Sequence, residues 1–126
     1  MSRTALIVED EIFVALDLER ILTDAGYEVV GIAADRREAL EAAGQCKFAF
    51  VDVNLRDGCT GPAVARRMAA DGIRVVFVTA NPSQIGEGSQ ALGFVRKPFN
   101  EASILHAAAI ASNDDMLPVS GVLKAL

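Results

Sequence analysis

The residues able to do chemistry in this chain are few and far apart. Glu9 and Asp10 close the apolar run "ALIV" at 5–8. Asp52 closes "FAFV" at 48–51, Thr79 ends "VVFVT" at 75–79, and Lys97 follows "FV" at 94–95. Each stands where a buried run meets a loop. A carboxylate beside buried backbone is costly unless something compensates its charge. If Glu9, Asp10 and Asp52 meet, two like charges about 4 Å apart cost about 4 kcal/mol at an effective dielectric of 20. Either one carboxyl is protonated or a cation is present. Lys97 offsets one charge. A hard divalent cation offsets more, and carboxylate and carbonyl oxygens suit Mg²⁺. A carboxylate, Mg²⁺, a lysine and a hydroxyl make a set for phosphoryl transfer, with Asp52 as a covalent acceptor and Thr79 as a hydrogen-bond donor.

Those residues can meet only if the elements between them bring them together. The runs at 5–8, 28–33, 48–51, 75–79 and 94–95 are short and rich in Val, Ile and Phe, without strict alternation. That pattern predicts strands covered on both faces, as in a parallel sheet. Helical spacing fills the intervals. Ile12, Ala15, Leu16, Leu18, Leu22 and Ala25 recur along 11–25, with Gly26 as a left-handed cap. Asp35 and Glu38 form a capping pattern for a helix over 36–43 closed by Gly44. Pro62 opens a helix to about residue 71, and Asn100 caps a last one over 101–112. The segment "PSQIGEGSQAL" at 82–92 contains Gly86 and Gly88, so any helix there is short or broken. The alternation predicts an α/β fold, one open doubly wound sheet. In such a sheet the strand ends share one edge, where ligands bind.

The totals bound the answer. The 126 residues make about one domain, and 52% apolar with 23% charged residues is a globular composition. Net charge −5 disfavours nucleic acid as a partner. The sequence predicts no signal peptide, no membrane span and a cytoplasmic location. Cys46 and Cys59 lack metal-ligand spacing and read as reduced thiols. His106 reads as a packing or surface residue. The tail, 113–126, is expected to pack on the domain (1–112) or bind a partner.

In "VEDE" (8–11), "FVDVNLRDG" (50–58), "VTAN" (78–81) and "KPF" (97–99), the chain resembles the receiver domain of two-component response regulators. The resemblance covers 4 to about 112. It implies a flavodoxin-like five-stranded parallel sheet of order 2-1-3-4-5. It implies Asp52 as phosphoacceptor, Asp10 as direct Mg²⁺ ligand, Glu9 as a ligand through water, and Asn54 as a backbone-carbonyl ligand. Thr79 becomes the switch hydroxyl and Lys97 the phosphate-binding lysine. Pro98 stands where the family often has a cis bond. Phe94 occupies the switch-aromatic position, without the hydroxyl of the usual Tyr. Asn54 and Asn81 occupy positions that tune autodephosphorylation.

Only residues 80 to 96 separate Thr79 from Lys97, fewer than receivers usually have. The fourth of five helices is therefore expected to be short or irregular, which puts the usual output face in doubt. The segment also resembles receivers of the alphaproteobacterial general stress response.

The function expected is a stand-alone response regulator, phosphorylated by a histidine kinase or phosphotransfer protein and signalling to a downstream protein effector. It is not expected to be an enzyme on other substrates. Two alternatives remain: an aspartyl-phosphate hydrolase of the haloacid dehalogenase type, and a binding module that needs no phosphate. The hydrolase needs a second acid two residues after its nucleophile, where this chain has Asn54.

Overall fold

The computed structural model describes residues 3–112. The expectation for the tail therefore lies outside the described residues. Five strands, β1 (Thr4–Val8), β2 (Glu28–Ala33), β3 (Phe48–Val51), β4 (Arg74–Thr79) and β5 (Gly93–Arg96), form one parallel sheet of order β2-β1-β3-β4-β5. The helices are α1 (Ile12–Asp24), α2 (Arg36–Ala42), α3 (Gly61–Ala70) and α4 (Glu101–Ser112). This is the doubly wound, flavodoxin-like order.

Strand alternation divides the core in two. Ala5, Ile7, Phe48, Phe50, Val76 and Val78 face α1 and α4, against Leu18, Leu22, Ile104 and Ile110. Leu6, Val8, Ala49, Val51, Val75 and Phe77 face the other way, against Val64 and Met68 of α3. The central strands are thus buried on both faces, which is why their sequences run apolar without a break. Burying each large apolar side chain contributes about 1.5–3 kcal/mol. Phe48 adds edge-to-face contacts with Tyr27 and Phe50, at centroid distances of 5.5 and 6.0 Å.

Local rules explain the helix ends. The Asp35 side chain accepts from the Glu38 N–H at 2.9 Å, and Glu38 reaches back to the Ala34 N–H at 2.8 Å. One of the donors that the helix start leaves open, the Glu38 N–H, is thus satisfied, and the residue before the cap is tied to the first turn. Arg56 pairs with Asp35 and, at 3.2 Å, with Glu38, tying the loop after β3 to the start of α2. Gly26 (φ 93°) closes α1 in the left-handed region. Gly44 does not cap α2; it lies in a 3-10 turn at Ala43–Gln45 that follows the helix.

The largest departure from a full set of crossovers lies between β4 and β5. No α-helix forms there, only a 3-10 turn at Pro82–Gln84. Gly86, Gly88 and Gln90 then take φ values of 77°, 73° and 63°, a path no right-handed helix follows. Ile85 is the buried anchor of this segment and joins the Phe77 cluster. The stripe on α1 also differs from its sequence reading. Ile12 and Leu16 are about half exposed and Phe13 is 84% exposed. The apolar stripe is wider than the face that the sheet and α4 cover.

Candidate functional site

Sheet register brings the polar residues together. The ladder continues one residue past the strands: Glu9 N–H donates to Ala33 O (2.8 Å), Asp52 N–H to Val8 O (2.9 Å), and Lys97 N–H to Thr79 O (3.0 Å). These backbones extend the ladder of the sheet, and their side chains share its carboxyl edge.

At that edge Lys97 Nζ donates to Glu9 Oε1 at 2.7 Å and to Asp52 Oδ2 at 2.9 Å, with Glu11 Oε1 at 3.8 Å. Asp52 Oδ1 accepts the Val53 N–H at 2.7 Å, and Glu9 Oε2 accepts the Glu11 N–H at 3.2 Å. Glu9 and Asp52 are buried, 2% and 7% exposed, whereas Asp10 is exposed. One carboxylate oxygen from each of Glu9, Asp10 and Asp52 lies within 4.8 Å of the others. A pocket of about 230 Å³ opens on Asp10 and Asp52, with Asn54, Thr79, Asn81 and Lys97 among its other lining residues.

The charge balance follows from burial. Burial pushes the Glu9 carboxyl up to about 7; the Lys97 hydrogen bond opposes this and the Asp52 charge reinforces it. Burial alone would lower the Lys97 ammonium, but its bonds to Glu9 and Asp52 outweigh burial and hold it above its ordinary value. One ammonium faces three acids, so the cluster suits a further cation. Its donors are all hard oxygens, as Mg²⁺ requires. Glu9 already accepts a bond on each oxygen, which favours contact with a metal through water. Asp10 has no hydrogen-bond partner among the described residues and is open for direct ligation.

The hydroxyl side of the pocket is also defined. Thr79 is 1% exposed, and its Oγ1 accepts the Asn81 N–H at 3.0 Å, leaving its own hydrogen to donate. The Asn54 side chain donates to Gln84 Oε1 at 2.7 Å. Lys97–Pro98 is a cis peptide. Phe94 is not among the pocket-lining residues; half-buried on β5, it packs against the cluster of Phe77 and Ile85. The described cysteines are free; burial pushes the Cys46 thiol up to about 11, which keeps it protonated.

Two residues that matter here escaped sequence reasoning. A Cβ at Gly61 would lie 2.0 Å from the Asp52 carbonyl oxygen and 2.7 Å from Val53 Cα. Only glycine lets α3 begin against the backbone of the candidate acceptor, although its φ is ordinary. Gly61-Pro62 reads in sequence as a simple helix start, so nothing flags this approach. Gln84 gave no signal because its partner lies thirty residues earlier.

This sheet order, with an acid cluster and a lysine at its carboxyl edge, agrees with comparison to known proteins. The sequence matches the response regulator receiver domain over residues 5–109. The chain belongs to that family. This receiver domain is 34% identical to the phyllosphere-induced regulator PhyR of Methylorubrum extorquens over 110 residues, 82% of this chain and 41% of PhyR. It is 30% identical to the transcriptional regulatory protein PdtaR of Mycobacterium tuberculosis, over 88% of this chain and 57% of PdtaR. The chain thus spans about half the length of these curated relatives. Among solved structures, the receiver domain of Erythrobacter litoralis PhyR matches with a TM-score of 0.77 at 27% identity, covering 94% of this chain and 97% of that one. The anti-anti-sigma factor PhyR of Bartonella quintana matches with a TM-score of 0.72 at 32% identity, over 88% of this chain and 46% of that one. Among the described residues no helix is long and apolar enough to cross a membrane.

Proposed function

We propose that this receiver domain is a phosphorylation-operated switch whose acceptor is Asp52. The observation that carries the reading is the seating of Lys97 2.9 Å from a buried Asp52, with Asp10 and Glu9 on the same edge. An Asp52 oxygen attacks the phosphorus of a phosphohistidine on a kinase or phosphotransfer protein. The P–N bond breaks and its electron pair stays on the imidazole. Lys97 neutralises charge on the transferred group, and Thr79 donates its free hydrogen to a phosphoryl oxygen. Asp10, Asp52, the Asn54 main-chain carbonyl and, through water, Glu9 would hold Mg²⁺. When bound, the ion supplies Lewis-acid stabilisation of phosphoryl oxygens. The domain modifies only its own aspartate and is not an enzyme on other substrates.

The donor is a protein, and α1 supplies a face for it. Ile12, Phe13 and Leu16 are the large apolar side chains left exposed among the described residues. Phe13 also lines a groove of about 450 Å³ with Lys97, Pro98 and Phe99, next to the acceptor. Turning Thr79 toward the phosphoryl group loosens its bond from Asn81, and inward rotation of Phe94 fills the space it leaves. The outcome is altered contact with a downstream protein in the cytoplasm. Similarity to PhyR supports a place in the general stress response, and the anti-anti-sigma role of the Bartonella relative extends to this chain as part of the same proposal.

Incubation with acetyl phosphate and Mg²⁺ tests the reading. Wild-type protein takes up label stable in the cold and labile to base, and Asp52→Asn takes up none. Equal labelling of the variant removes Asp52 from the role.

A further inference from the structure

The segment that replaces a helix between β4 and β5 touches the acceptor loop through one side-chain hydrogen bond, from Asn54 Nδ2 to Gln84 Oε1 at 2.7 Å. Gln84 is placed for this by its own turn, since its N–H donates to Asn81 O at 3.0 Å. Asn81 and Asn54 both line the acceptor pocket; Gln84 does not. A carboxamide has two ends with opposite hydrogen-bonding character. Fixing Nδ2 on Gln84 leaves Oδ1 as the end of Asn54 without a partner among the described residues.

We infer that Gln84 is a positioning residue that sets the lifetime of the phosphorylated state by orienting the Asn54 carboxamide at the pocket. The inference rests on the Asp52 acceptor reading. In hydrolysis, the lone pair of a water oxygen attacks phosphorus. The P–O bond to Asp52 breaks, its electron pair returns to the carboxylate, and the water's protons go to the phosphate and to solvent. The attacking water must lie at the pocket mouth, opposite the Asp52 oxygen. Asn54 Oδ1, held in one orientation, accepts a hydrogen bond from that water and aligns it. Both amides are exposed, so the bond is modest, and the effect expected from losing it is a two- to tenfold slowing, the range for one hydrogen bond. The same bond makes lifetime depend on the conformation of 82–92: a partner that draws this segment away lengthens the signal.

The test measures loss of label after acetyl phosphate is removed, in Mg²⁺, for wild type, Gln84→Leu, Asn54→Ala and the double variant. Gln84→Leu is expected to retain label at least twofold longer, with unchanged Mg²⁺ affinity and melting temperature. In the Asn54→Ala background, Gln84→Leu is expected to have no further effect, a result that a merely structural role would not give. A wild-type lifetime in Gln84→Leu, or an equal effect in both backgrounds, overturns the inference. Wild-type protein that takes no label removes the acceptor reading and this inference together, whereas normal labelling with unaltered decay removes only the inference.

Discussion

Lys97 Nζ sits 2.9 Å from Asp52 Oδ2, joining residues 45 positions apart in sequence across the carboxyl edge of the sheet. The same ammonium holds Glu9 at 2.7 Å. Without it, a buried pair of carboxylates faces Asp10 with no cation.

Lys97→Ala is therefore expected to lower unfolding free energy by about 3 kcal/mol in chelator, the low end for breaking a buried ion pair. Mg²⁺ is expected to stabilise the variant more than the wild type, because the ion supplies positive charge that the variant lacks. Urea unfolding with EDTA and with Mg²⁺ measures both. Equal Mg²⁺ stabilisation of the two proteins would show that Lys97 and the ion do not neutralise the same charge.

Gly61→Ala forces a Cβ into the Asp52 and Val53 backbone, which cannot yield cheaply. A loss of about 3 kcal/mol is expected, with slower labelling because Asp52 is displaced. Gly44, where an added Cβ meets nothing within 4 Å, is the control, and Gly44→Ala is expected to change stability by less than about 1 kcal/mol. Denaturant titration of the pair separates close approach from the general effect of replacing glycine.

The start of α2 carries a pH signature. The Asp35 carboxyl is held below its ordinary 3.8, first by the Glu38 N–H and then by Arg56. A depressed carboxyl contributes stability above its unfolded value and loses it as pH falls through its folded one. Asp35→Ala is thus expected to melt several degrees lower than wild type at pH 7, with the gap narrowing below pH 3.8. Melting curves from pH 7 to pH 2.5 check this; a constant gap would assign the cost to something other than the ionised cap.

Phe13 is 84% exposed, so Phe13→Ser is expected to leave the melting temperature unchanged. If α1 receives the donor, the ratio of labelling by a phosphohistidine protein to labelling by acetyl phosphate falls at least tenfold. Parallel time courses with the two donors measure that ratio, and an unaltered ratio takes α1 out of the docking face.

Much of this was legible because it is local or repetitive. Strands buried on both faces leave unbroken apolar runs, so Ile7, Phe50 and Val76 announced the sheet. Asp35 and Glu38 announced their helix start because capping needs only a spacing of three. Gly86 and Gly88 marked the lost helix. The order of the motif residues along the chain carried the family resemblance, and parallel register then explains why they converge. What stayed hidden is set by distant partners. Whether Leu16 is buried depends on how much of α1 the sheet and α4 cover, and the need for Gly61 depends on where the Asp52 carbonyl passes. The Asn54–Gln84 bond depends on both loops at once.

The single turn between β4 and β5 changes what a protein can grip on that flank. A helix offers ridges of side chains at regular steps. Here Ile85 pins a ribbon whose outline is drawn by main chain at Gly86, Gly88 and Gln90. A partner at that flank therefore meets main-chain outline rather than a periodic side-chain face.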